Sequence, residues 1–536
     1  MSLKLLSKNK LFLSVLFLIF LGYIWLAWQP AEVLLTKVLV DDSFYYFKTA
    51  SNLVKGFGPT FDGEHLTNGY HPLWMGINML VYRFWGYDKL LPIHILLTVG
   101  AVLFLLNNLI LFEILFSFTA NSFLSSLLVL AYALNPWNLS FYLGGLETPL
   151  ALFLFLVFFR LALKTFSKHS ERDFLWLGMV GGLMILSRLD YGVYFAFVSG
   201  FFAWKTKDWK KTSVLVLPAV FLAAPWFLYN YFYFGSFIPA SGLAYTLINH
   251  RLWFYKPRTL TYILIWCLHN FLGTVSFTFN TINLPVYYAA KNLLKSFFWM
   301  AGLCLTPTLI VLYFYKKRKE EFLNFCKELF SLKEWSALLV FFFGYFLLVI
   351  AHGAVRWSGR PWYFATFPIL AMIFIAIILS RPYLYFYREN LLIALFILLG
   401  VLNLSNFKSI LSENDGQLEM YQTSLWMRDN LPPDARVAAF NSGIHGYFSD
   451  RFVMDSDGLI NNSAYEAMKN NRLWDLFKEA KIGYIADYDI TLTYRFKSFL
   501  GIDDAMSHLS KLDTSKSISR TGKYGGSNVN VYKIAY

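Results

Sequence analysis

Long apolar runs, broken by short polar or basic clusters, fill the first three quarters of the chain. Lys4, Lys8 and Lys10 precede the run from Leu11 to Trp28, which is long enough to cross a hydrocarbon layer. Further runs of this kind lie at about 90–117, 122–136, 149–164, 174–188, 191–204, 213–234, 292–315, 335–351, 362–380 and 391–404, which gives about 11 spans. Basic clusters end alternate runs: Arg160, Lys164, Lys168 and Arg172; Lys205, Lys207, Lys210 and Lys211; Lys316 to Lys319; Arg381 and Arg388. Because basic loops stay on the cytoplasmic side, the N-terminus is expected inside, on an uncleaved anchor. The pair 174–188 and 191–204 is shorter than a normal span.

Two polar stretches interrupt this pattern on the opposite face, at 41–89 and 235–290. Their aromatic, Gly and Pro content suits helices lying in the interface and a loop over a cavity. From residue 405 the hydropathy drops and the period changes. A helix is expected over 417–430, strands over 436–440, 452–455 and 482–486, and a helix over 464–480. Alternation of this kind predicts an α/β domain, 405–536, on the extracytoplasmic face, carried by a polytopic all-α membrane domain, 1–404. No internal repeat is visible.

Composition supports the membrane reading. Hydrophobic residues make up 57% of the chain and charged ones only 15%, with a mean hydropathy of +0.47. That is more apolar surface than a soluble core of this size can hide. The net charge of +14 lies at the ends of apolar runs, where it sets topology; it does not indicate a nucleic-acid partner. Three separated cysteines suggest neither a disulfide framework nor a thiolate metal site.

The candidate chemistry begins where the first span meets water, at Asp41-Asp42. Adjacent carboxylates there are costly unless they bind a cation, a proton or a polar ligand, although an Asp can also cap the helix that follows. Glu147, in Gly145-Leu146-Glu147-Thr148, falls on the same face, and it too can cap its helix. Asn68 and His71 lie in Thr67-Asn68-Gly69-Tyr70-His71-Pro72-Leu73-Trp74, where His71 can also serve the turn. Arg356, Arg360 and Tyr363 open a late span, and the two arginines suit a phosphate. Arg188 and Asp190 are expected to pair with each other, and Asp455 and Asp457 to be turn residues. Carboxylates that can take a hydroxyl proton, beside arginines that can hold a phosphate, suit group transfer between the two.

An acidic pair after the first span, followed by interfacial helices and about ten further spans, resembles the GT-C superfamily of polyprenyl-phosphate-dependent glycosyltransferases. That group includes protein mannosyl, aminoarabinose and arabinofuranosyl transferases and oligosaccharyltransferase subunits. Asp41-Asp42 falls where these enzymes carry Asp-Asp or Asp-Glu. Residues Thr67 to Trp74 fall where several have a basic residue before Pro-Pro-Leu, with His71 in place of a common lysine. Gly145 to Thr148 resembles a second acidic motif, and Arg360-Pro361-Trp362-Tyr363 a late Arg-Tyr motif. The tail phrases Ser442 to Phe448, Asp450-Arg451, Asp455 and Gly458-Leu459 also resemble the outer domain of this group.

The resemblance implies an inverting hexosyl- or pentosyltransferase in the plasma (inner) membrane, multi-pass, working on the extracytoplasmic side. Its partners would be the bilayer, a polyprenyl-phosphate-linked sugar donor and a glycan, lipid or protein acceptor. Asp41 would be the general base, with Asp42 beside it. Glu147, Asn68, His71 and Tyr363 would contact substrate, and Arg356 and Arg360 the donor phosphate. No metal is required, but a divalent cation such as Mg or Mn could be shared by Asp41, Asp42 and Glu147. The competing class is a transporter or flippase of a lipid-linked sugar. It would be expected to show paired repeats with broken helices.

Overall fold

The computed structural model describes residues 9–168, 170–252, 333–355, 360–380, 415–502, 505–514 and 528–536, together with isolated positions between 267 and 327. The expected spans at 292–315 and 391–404, most of the loop 235–290, and Arg356 lie outside the described residues.

Among the described residues, five helices are long and apolar enough to cross a membrane: Lys10–Ala27, Leu91–Thr119, Thr148–Phe166, Trp209–Phe234 and Trp335–Ala354. Ser122–Ala133 and Thr366–Leu379 are apolar but shorter. Helices Glu171–Ser187 and Gly192–Thr206 occupy the segments 174–188 and 191–204, joined through a single 3-10 turn, Leu189–Tyr191. Local chemistry sets several of these ends. The Asn121 side chain accepts from Leu124 N and that of Asp208 from Lys211 N, each satisfying an orphan donor of a first turn. Pro218 and Pro225 sit inside the helix Trp209–Phe234, as membrane helices tolerate.

Between the first two long helices, the polar stretch folds into Ala31–Lys37, Ser43–Val54 and Pro72–Trp85. Pro72 stands in the first turn of its helix, where its missing N–H costs nothing. The two helices bury Phe44, Phe47, Trp74 and Tyr82 in the main core.

The C-terminal part is a five-stranded sheet in the order β2-β1-β3-β5-β4. Strands β1 (Arg436–Ala439), β2 (Phe452–Asp455) and β3 (Tyr484–Tyr488) are parallel; β5 (Val529–Ile534) and β4 (Leu509–Lys511) run antiparallel at one side. The helix expected over 464–480 is two, Asn462–Lys469 and Leu473–Glu479, because Asn471 adopts a left-handed conformation that ends the first.

The sheet domain is seated on the membrane helices through one continuous core. Ile444, Tyr447 and Phe448, from the short helix Gly443–Phe448, join the cluster that holds Phe44 and Phe47. Tyr447 donates to Lys89 O at 2.6 Å, and so accepts from Tyr82 OH at 2.7 Å. Gln417 donates to Leu35 O and Leu39 O. On the far side, Arg251 donates to the carbonyls of Met468, Lys469 and Ser498 and to the Asn471 side chain. Each large apolar side chain fully buried in such a seam stabilises by about 1.5–3 kcal/mol.

Candidate active site

Asp41 and Asp42 lie between Ala31–Lys37 and Ser43–Val54, outside any helix long enough to span. Asp42 occupies the N-cap position of Ser43–Val54, but its side chain makes no cap hydrogen bond. It is exposed at the surface while neighbouring protein still desolvates it. Burial pushes its carboxyl up; the Arg360 charge opposes this, and the Glu147 charge adds to it. Asp41 turns the other way, into the sheet domain, where its Oδ1 accepts from Ile444 N at 2.7 Å. Burial raises the Asp41 carboxyl to about 7, against the pull of the Ile444 and Gly443 N–H groups and with the push of Asp42 and Asp487.

Glu147 is placed by a tight turn. Gly145 has φ +79 and packs so closely on the helix Ser43–Val54 that a Cβ would stand 2.6 Å from Ser43 Cβ. Trp74 Nε1 donates to Gly145 O at 3.2 Å and fixes the turn from the other side. Glu147 is thereby buried, with Arg188 Nη1 on its Oε1 at 2.8 Å and Tyr46 OH on its Oε2 at 3.1 Å. Arg188 is itself buried, its Nε lies 3.0 Å from Asp190 Oδ1, and Asp190 Oδ2 lies 3.2 Å from His352 Nε2. Burial works against the Arg188 charge, but Asp190 and Glu147 outweigh it. Burial likewise opposes ionised Asp190, and Arg188 outweighs it, holding that carboxyl well below its usual range.

His71 and Tyr363 close this cluster. His71 Nδ1 accepts from Leu189 N at 3.4 Å, which leaves Nε2–H facing Glu147 Oε1 at 3.6 Å. Burial lowers the His71 value, partly offset by Glu147, so the ring is neutral near pH 7. The Tyr363 ring lies under the Arg188 guanidinium at 4.9 Å. Arg360 is exposed, its guanidinium carbon 5.7 Å from the Trp362 ring. Asn68 is buried apart from these groups: its amide donates to Asn230 Oδ1 and accepts from Ala240 N and Asn462 Nδ2.

The sheet domain adds acids that the sequence pattern places in turns. Asp455 ends β2 and accepts from Ser442 Oγ and Ile460 N. Asp457 lies 3.4 Å from Arg495, and Asp487, in β3, accepts from Phe440 N and Asn441 N. Burial raises Asp455 to about 8 and Asp457 to about 7. Asp41, Asp42, Asp455 and Asp457 all bear electrostatically on the Tyr45 hydroxyl between them. A cation shared by Asp41, Asp42 and Glu147 does not fit this arrangement. No group of three His, Cys, Asp or Glu among the described residues is arranged to hold a metal, because Asp41 faces Ile444 N and Glu147 faces Arg188.

The fold is shared with two solved structures. The chain superposes on ArnT from Cupriavidus metallidurans, a structure bound to undecaprenyl phosphate, with a TM-score of 0.58 and 11% identity, covering 98% of each chain. It superposes on an Archaeoglobus fulgidus oligosaccharyltransferase, in complex with Zn and sulfate, with a TM-score of 0.53 and 14% identity, covering 96% of this chain and 73% of the other. Residues 408–532 match a family model described as a domain of unknown function, DUF8728. No curated protein matches the chain in sequence.

Proposed function

We propose that the protein is an inverting glycosyltransferase that moves a sugar from a polyprenyl-phosphate donor to an acceptor hydroxyl on the extracytoplasmic side. One observation carries this reading: Asp42 stands at a helix N-cap without capping it and faces Arg360, while Asp41 beside it is a carboxyl poised near neutral pH. A base with a value near the working pH is well matched to proton transfer. In this reading Asp41 takes the acceptor hydroxyl proton as that oxygen attacks the anomeric carbon. The bond from that carbon to the phosphate oxygen breaks, and the electron pair leaves with the phosphate. Asp42 stabilises positive charge on the sugar ring, and Arg360 charge on the leaving phosphate. The resemblance assigns Arg356 to the same phosphate. Glu147, His71 and Tyr363 shape the wall behind the sugar through Arg188, and Asn68 fixes the turn that brings His71 to it.

The membrane domain is read as 1–404 and the sheet domain as 405–536, with the latter and the carboxylate pair outside and the basic loops inside. That the ArnT structure holds undecaprenyl phosphate supports a lipid-phosphate donor. The test is transfer of label from a panel of polyprenyl-phosphate sugars to membrane extracts, comparing wild type with Asp41→Asn. A fall of at least about 100-fold in folded Asp41→Asn supports the base assignment. Donor binding without any transfer by wild type would overturn the reading in favour of transport.

A further inference from the structure

In the sheet domain the strand order places β1 between β2 and β3, so the chain leaves β1 toward β2 on one side and returns to β3 on the other. Parallel sheets usually bind ligands at the carboxyl ends of strands flanking such a reversal. Here the membrane domain occupies that place, and what it inserts is Asp41.

We propose that the segment Asn441–Ile444, anchored by Asp487, is a working wall of the carboxylate site that holds Asp41, with Asn441 and Gly443 as positioning residues. The proposal rests on the reading of Asp41 as the base. Asp487 Oδ2 accepts from Phe440 N at 2.8 Å and Asn441 N at 2.9 Å, and its Oδ1 accepts from Asn441 Nδ2 at 2.7 Å. Ser442 Oγ adds a tie to Asp455 Oδ1 at 2.9 Å. These bonds fix the chain as it leaves β1, so that Ile444 N points at Asp41 Oδ1 from 2.7 Å.

The approach is close enough to require a glycine. A Cβ on residue 443 would meet the Asp41 backbone carbonyl and stand 2.8 Å from Asp41 Oδ1. Gly443 is not among the glycines with positive φ, so an alanine there is opposed by contact and not by backbone conformation. The titratable groups facing Asp41 are Asp42 on its own segment, Tyr45 on the helix that follows and Asp487 across the seam; the two acids repel its ionised form. The N–H groups of Ile444 and Gly443 oppose that repulsion, so the sheet domain governs how readily Asp41 ionises and where it points.

The test uses the full-length protein in membranes and the carboxyl reagent dicyclohexylcarbodiimide, which attacks protonated acids. Modification of Asp41 is followed by peptide mass spectrometry across pH in wild type, Gly443→Ala and Asn441→Ala. Loss of the N–H contact should move the midpoint upward by about one pH unit in Gly443→Ala, and by less in Asn441→Ala. Any acid limb of the transfer rate should move with it. Unchanged midpoints in both folded variants would overturn the proposal; if Gly443→Ala does not fold, Asn441→Ala decides alone. Full transfer by Asp41→Asn would instead sink the base assignment, while the labelling would still report whether the wall holds Asp41.

Discussion

Two clusters of ionisable side chains lie near each other, and they are built on opposite principles. Around Arg188 every acid has a cation: Glu147 and Asp190 hold the guanidinium, and His352 meets Asp190. Around Asp41 the acids face one another across the seam between domains, and at Asp41, Asp455 and Asp487 neutral N–H and O–H donors take the place that cations have around Arg188, with Arg495 beside Asp457. The first arrangement locks charges in one state, which suits a rigid wall. The second leaves carboxyls that change state near neutral pH, which suits a group that must accept and release a proton.

The most disruptive way to break the contrast is Arg188→Ala, which strands two acids without their cation. Removing one partner of a buried pair costs about 3–5 kcal/mol, so thermal unfolding in detergent should show a large drop or loss of the folded protein. Asp42→Asn should do the reverse, leaving the unfolding midpoint unchanged or higher while transfer falls by about 10- to 100-fold. A midpoint that drops in step with transfer would make Asp42 a structural group.

A third test uses pH. Asp41, Asp455 and Asp457 have values raised to about 7, 8 and 7 from an ordinary 3.8. A raised acid contributes stability that is complete below the ordinary value and is lost as pH rises through the folded value. The unfolding midpoint should therefore fall between about pH 4 and about pH 8, level off above that, and fall less in Asp455→Asn. The smallest effect is expected at His71, which burial keeps neutral. Exchange for glutamine should change transfer by less than about tenfold, by a factor that stays constant from about pH 6.5 to about pH 8.

The sequence made the local features visible and left the distant ones hidden. Asp41-Asp42 stood out because two charges directly follow an apolar run, and Arg188 with Asp190 because they are two residues apart and do pair. His352 on Asp190 and Ile444 on Asp41 bridge 162 and 403 positions, and no periodicity reports such a contact. Asp455 and Asp457 resembled turn residues because Asp is common in turns; their burial comes from tertiary packing, with Ser442, Ile460 and Arg495 drawn from distant or separate turns of the chain. Strands β4 and β5 escaped notice for a similar reason. β4 has only three residues, and β5 is buried almost throughout, without the alternation that marks a half-exposed strand.

The junction at Asn68 also imposes an order of events during synthesis. One end of its hydrogen bond to Asn462 leaves the ribosome 394 residues before the other. A delay of 403 residues separates Asp41 from the donor that holds it. A ribosome that has released every described membrane helix has therefore produced an unfinished pocket. A chain interrupted before Ile444 and Asn462 stays in that state, and the gap closes only once both residues have emerged, so translation past them is the switch that arms the molecule.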